Sequence, residues 1–222
     1  MSTTHLLHPN ECAVRPIVGM APCAFRTGPQ IHPRRAAYDF YPTPPEATQA
    51  LLSAEAFDGS VWEPACGEGH IAKVLESSGL SVIATDLIDY GYGQGGRDFL
   101  AERKPLAKHI ITNPPYGKGL ADAFAKHALK LAAESGGTVA MLMNIAGLCH
   151  PLRHSFWTER PPSVVYCLDE CVCWPYGKPT RSSASIAQQR YCWVVWKPGT
   201  SGTELRWLTT RSPPAFEGVY ST

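Results

Sequence analysis

The chain has 222 residues, 44% of them hydrophobic, enough for one substantial core and too few for two. No apolar run approaches the ~18 residues of a membrane helix, and the polar start, with His5, His8, Pro9 and Glu11, is not a secretory signal. A net charge of +1 conceals a division: +3 over residues 1–38, −9 over 39–102 and +7 over 103–222.

Residues 1–36 are rich in His, Pro, Cys and Arg without periodicity and read as an irregular arm. A single α/β domain is expected over 37–210, with a loose tail over 211–222. Asp39-Phe40-Tyr41-Pro42-Thr43-Pro44-Pro45 leads into a helix from Glu46 to Ala54. Beyond it the pattern alternates: strand 60–65, helix 69–78, strand 81–86, a Gly/Tyr-rich loop 90–96, strand 109–112, helix 119–134 and strand 137–143. Strands that are continuously apolar and alternate with helices imply a mostly parallel sheet covered on both faces. A helix is expected at 151–158, closing strands at 164–168 and 190–196, and a further strand at 203–208. The stretch 173–183, with Trp174, Tyr176, Lys178 and Arg181, is the long irregular insertion, of a composition that tracks a backbone and stacks on bases.

Eight cysteines sit mostly in apolar surroundings, as reduced buried thiols do. Cys167-x-x-x-Cys171-x-Cys173 matches no common zinc spacing, and the other grouping, Cys12 and Cys23 with His5 and His8, is no stronger. No metal is expected.

Two stretches carry chemistry. Val61 to Cys66 runs as a strand into Gly67-Glu68-Gly69-His70, and the next strand ends at Asp86. Glycines let backbone approach a ligand closely, and an acid some 20 positions on meets ribose hydroxyls. The Gly67-x-Gly69-x-x-Ala72 spacing fits a dinucleotide as well as S-adenosylmethionine. The second stretch is Asn113-Pro114-Pro115-Tyr116, after the β-branched run His109-Ile110-Ile111-Thr112. Its prolines fix φ and remove two donors. The Asn113 side-chain oxygen and the Pro114 carbonyl are then available to accept both hydrogens of one amino group, and Tyr116 offers a flat face for stacking. A planar, amino-bearing substrate such as adenine meets those terms.

Together, Glu63-Pro64-Ala65-Cys66-Gly67-Glu68-Gly69 and Asn113-Pro114-Pro115-Tyr116 resemble the class I, S-adenosylmethionine-dependent N6-adenine DNA methyltransferases over roughly residues 38–200. The resemblance implies a Rossmann-like fold with a mostly parallel seven-stranded sheet, an antiparallel edge hairpin and helices on both faces. It makes Asn113, Pro114, Pro115 and Tyr116 catalytic. It puts Gly67 and Gly69 beside the cofactor's methionine part within a motif that includes Glu63 and Ala65. Asp86 falls on the ribose, Leu87 on the adenine ring, and Asp98 with Phe99 at the adenine amine. Tyr41, Thr43 and Pro44 close over the amino-acid end. Arg34, Arg35, Lys118, Lys178 and Arg181 become candidate nucleic-acid contacts. His70 departs from the usual pattern.

Only 46 residues separate Gly67 from Asn113, so no target-recognition domain fits between them. Short or relaxed recognition of DNA is therefore expected. A small enzyme of this layout suits a phage or prophage, in the cytoplasm of a bacterial host. Oligomeric state is not legible. An RNA adenine methyltransferase shares all these motifs. A protein-glutamine methyltransferase shares Asn-Pro-Pro-Tyr but usually carries a helical amino-terminal domain. A non-catalytic nucleic-acid-binding module or an NAD enzyme agrees less well with the two motifs combined.

Overall fold

Pro44 and Pro45 cannot donate backbone hydrogen bonds, a lack that costs nothing in the first turn of a helix, and α1 (Pro45–Ala54) starts there. Its Ala47, Thr48, Ala50 and Leu51 are buried. The computed structural model describes residues 37–171, 173 and 190–211, which fall in one compact unit spanning Arg35–Thr222. The arm of residues 1–36 and residues 212–222 of the tail lie outside the described residues, as do Arg34, Arg35, Lys178 and Arg181.

The βα alternation holds. β1 (Val61–Glu63) is followed by α2 (His70–Ser77), then β2 (Val82–Ala84), β3 (His109–Thr112), α3 (Leu120–Ser135) and β4 (Val139–Asn144). A 3-10 turn, Pro151–Arg153, opens the short α4 (His154–Glu159), and β5 (Val164–Leu168), β6 (Tyr191–Trp196) and β7 (Glu204–Leu208) close the chain. The sheet has seven strands in the order β2-β1-β3-β4-β6-β5-β7. β1 to β4 are mutually parallel, and β6 runs antiparallel to both β4 and β5. The β5–β6 pair is the expected hairpin partnership, but it is not at the edge. β7 lies outside it, parallel to β5 with Val164 opposite Glu204.

Side-chain alternation on the central strands builds two cores, one on each face of the sheet. Ile111, Ala140 and Leu142 join Leu51, Leu75 and Trp193 on the α1/α2 face. Ile110, Met141 and Met143 join Trp62, Phe99 and Phe124 on the α3 face. The Trp193 indole donates to the Ala47 carbonyl at 2.8 Å and so fixes α1 against the sheet. Among the described residues, no helix is long and apolar enough to cross a membrane.

Chain order reverses at β1, which has β2 on one side and β3 on the other. In an open α/β sheet, the crevice beyond the carboxyl ends of the strands at such a point is where a ligand binds. Gly67, Asp86 and Asn113 follow β1, β2 and β3 respectively, so the fold collects all three at that crevice.

Candidate active site

A cavity of about 500 Å³ opens at the switch point, of a size that takes a nucleoside-scale ligand. Its lining includes Tyr41, Thr43, Glu63, Ala65, Asp86, Leu87, Asp98, Phe99, Asn113 and Pro115. Those residues, up to 74 positions apart in sequence, are thus brought together. Gly67 and Gly69 form the floor turn, at φ +51° and +81°, left-handed values that a side chain rarely adopts. The neighbours that exclude a Cβ there are aromatic: Phe40 Cε2 would stand 2.3 Å from one at Gly67, and Tyr92 Cδ1 2.4 Å from one at Gly69.

Asp39, Glu63, Asp86 and Asp98 line the cavity, and the last three form no ion pair with a cationic side chain among the described residues. Glu63 is 2% exposed and accepts the Ala72 N–H at 2.7 Å. Burial drives its carboxyl well above the usual range, against that hydrogen bond, and Asp86 pushes it further. Asp86 accepts from the Gly67 N–H at 2.8 Å and the Ile88 N–H at 2.9 Å, which pins the glycine turn to the end of β2. Burial raises its carboxyl too, and the backbone donors oppose the rise. Asp98 accepts from the Leu100 N–H at 2.9 Å, capping the turn that buries Phe99. Burial depresses the His70 imidazole, and its Nδ1 is buried without a hydrogen-bond partner among the described residues.

Residues 39–43 form a strap along the cavity. Asp39 accepts the Gly117 N–H at 2.6 Å. The Asn113 Nδ2 donates to the Tyr41 carbonyl at 3.2 Å and to Thr43 Oγ1 at 3.0 Å. Between them Phe40 faces the glycine turn and stacks on Tyr90, with ring centroids 4.7 Å apart and planes at 22°. Tyr38 and Asp39 both have positive φ, 55° and 58°, a strained start to the strap beside the cavity. Sequence reading had not singled out Phe40, Tyr90, Tyr92 or Asp39 as functional. The available signal is the stretch Asp39 to Pro45 that leads into α1.

Tyr116 differs from expectation. It is absent from the cavity lining and packs against the α1/α2-face core, near Tyr191. Its hydroxyl lies 2.6 Å from Asn113 Oδ1 and 2.8 Å from the Leu142 carbonyl. The ring is half-buried, with its polar end drawn inward to two acceptors. Pro114 is buried and likewise not part of the lining. Pro44 caps α1 outside the cavity lining. The side chain of Lys118 lies outside the described residues. Among the described residues, no three His, Cys, Asp or Glu side chains are grouped to hold a metal.

No protein-family model matches the chain, and no curated protein matches its sequence. Among solved structures the fold is similar to a Listeria monocytogenes protein assigned to the class I S-adenosylmethionine-dependent methyltransferases (14% identity, 72% of this chain, 64% of that one, TM-score 0.50). It is also similar to a modification subunit of a type I restriction enzyme from Vibrio vulnificus (17% identity, 79% of this chain, 48% of that one, TM-score 0.51). The chain spans less than two thirds of the length of either. The architecture is an α/β, class I methyltransferase fold.

Proposed function

We propose that this chain transfers a methyl group from S-adenosylmethionine to the N6 amine of adenine in DNA, with short or relaxed sequence recognition. One observation supports it most: the orientation of the Asn113 amide. The Tyr41 carbonyl can only accept, so the side-chain nitrogen must point to it and to Thr43, and the oxygen, which takes the Tyr116 hydroxyl at 2.6 Å, is the polar atom with a lone pair left for a further donor. The cavity therefore receives a hydrogen-bond acceptor there, which binds an N–H and not a carbonyl.

The cavity also fits a cofactor that carries positive charge and several donors. Asp86 has capacity for a ribose diol beyond the Gly67 and Ile88 N–H groups, and Asp98 for an amine beyond the Leu100 N–H. The unpartnered His70 Nδ1 suits a polar group at the amino-acid end, where Tyr41 and Thr43 stand. When bound, the cofactor supplies a methyl group on a cationic sulfur, which leaves as a neutral thioether.

The chain's own task is to make a poor nucleophile attack. The N6 lone pair is delocalised into the purine. Holding both N–H bonds, on Asn113 Oδ1 and the Pro114 carbonyl, favours the pyramidal amine whose lone pair is free. Alignment and fixed dipoles then supply the acceleration, and no prior deprotonation is needed. The proton lost from nitrogen after transfer goes to solvent. A base inside a duplex cannot reach the cavity and must be flipped out or presented single-stranded.

The deciding experiment incubates the protein with methyl-labelled cofactor and, in parallel, duplex DNA, single-stranded DNA, RNA and protein, then identifies the modified group. N6-methyladenine in DNA is the expected product. Label confined to RNA or to protein glutamine would replace the substrate, and label nowhere despite bound cofactor would end the reading.

A further inference from the structure

We infer that Tyr116 acts through its hydroxyl as a positioning residue, holding the Asn113 side-chain oxygen towards the substrate and turning its O–H hydrogen bond wholly to the Leu142 carbonyl when a substrate N–H arrives. The inference rests on the methyl-transfer reading and assigns this tyrosine a task other than stacking.

The donors and acceptors at this corner do not match. A phenol has one proton, and here it faces two oxygens at hydrogen-bond distance, Asn113 Oδ1 and Leu142 O. Neither can return a proton, because the first is the oxygen of an amide whose nitrogen is held by Tyr41 and Thr43 and the second is a backbone carbonyl. Leu142 lies one residue past the last β3–β4 pair, Thr112 with Met141, so on that side β3 supplies it no partner. The network is therefore one donor short as the protein folds. A substrate amine is such a donor. Once its N–H reaches Asn113 Oδ1, the phenol O–H is free to donate to the Leu142 carbonyl alone, and every acceptor is served.

Two further facts fit a positioning role. The Tyr116 ring is clamped by the α1/α2-face core, so only the O–H bond has to rotate. Burial, reinforced by nearby Cys173 and Tyr191, holds the phenol well above its usual range, so the proton stays in place throughout the working pH range.

Tyr116→Phe keeps the ring and its packing and removes only the hydroxyl. Expected is a fall in kcat of ~10-fold or more, with the dissociation constant of S-adenosylmethionine within ~2-fold and the melting temperature nearly unchanged. Thr43→Val removes another restraint on the same amide. The double variant should then depart from the product of the single losses, since the two groups hold one rotor. A kcat unchanged in Tyr116→Phe, or losses that simply multiply, would overturn the inference.

Should the wild type methylate nothing, the functional reading fails and this one is still testable without substrate. The chain has three asparagines, Asn10, Asn113 and Asn144. Asparagine-selective nitrogen labelling gives three side-chain amide pairs, and Asn113→Asp identifies one by its loss. That pair should be single and sharp in the wild type and split or broadened in Tyr116→Phe. An identical pair in both would refute the inference.

Discussion

Asn113 is asked to be rigid and receptive at once, and its surroundings divide the two demands between its two polar atoms. The nitrogen is spent on the strap; the oxygen accepts the Tyr116 hydroxyl and keeps capacity for a second donor. Asn113→Ala should lower turnover by roughly 10²-fold or more, the scale seen when one preorganised polar group is removed from a site. Cofactor affinity should survive within a few-fold, because Asp39 still grips the Gly117 N–H and Trp193 still holds α1 at Ala47. Equal losses of rate and of cofactor binding, measured by turnover and calorimetry, would show that the residue serves the strap alone. Glu63 poses a different question, of charge. The folded state binds its proton more tightly than the unfolded chain, whose value is near 4.5. Its ionisation therefore leaves stability intact below that value and erodes it as pH rises towards the folded pKa, by about 1.4 kcal/mol per pH unit in that window. Glu63→Gln keeps an acceptor for the Ala72 N–H and removes the titration. Its melting temperature should match the wild type near pH 4 and exceed it increasingly as pH rises; a gap that does not vary with pH would contradict the assignment.

The glycine turn between β1 and α2 shows how much an element depends on what lies over it. Gly69 is left-handed, and the Tyr92 ring above it is held by a hydroxyl bond to Glu76 at 2.9 Å and by Lys73 at 4.9 Å from the ring centre. Gly69→Ala must strain the backbone and displace that ring, at a cost of roughly 1–3 kcal/mol. Adding Tyr92→Ala should relieve the steric share and leave the backbone share, as denaturant melts of the single and double variants would show. No relief would mean that the ring moves aside freely. The turn's existence was legible, since Gly67, Gly69 and Asp86 stand at the spacing a βα unit demands. So were β3, β5 and α3, whose burial repeats along their own length. The aromatic cover was not legible, because Phe40 and Tyr92 come from 27 positions before Gly67 and 23 after Gly69, and only the folded chain joins them. Nor was the inward turn of Tyr116, since a motif names a residue and not its rotamer. β7 was readable as a strand but not as the outer edge. Its Glu204–Arg206 stretch is exposed throughout, so no buried face reports which strand it joins.

Across the whole molecule, sequence segregates charge and the fold then partly recombines it. Residues 39–102 carry −9 and residues 103–222 carry +7, yet Lys108 pairs with Asp58 and Lys197 with Glu55 across that divide. In the cavity, Asp86 and Asp98 have no such partner among the described residues, and so attract a cationic ligand. On the other side, Lys126, Lys130 and Arg160 are exposed and outside the ion pairs formed among the described residues. The two ligands should therefore answer salt in opposite ways. Phosphates held by exposed cations release counterions, so log affinity for a duplex should fall linearly with log salt, with a slope of about −3 or steeper between ~50 and ~200 mM if three or more phosphates are neutralised. The cofactor is held in a recessed site, where screening acts weakly, and its affinity should change less than ~3-fold over the same range. Fluorescence anisotropy for the duplex and calorimetry for the cofactor measure the two. A flat duplex plot would mean that the basic half does not bind a polyanion, and the choice of DNA over a small or protein substrate would fall with it.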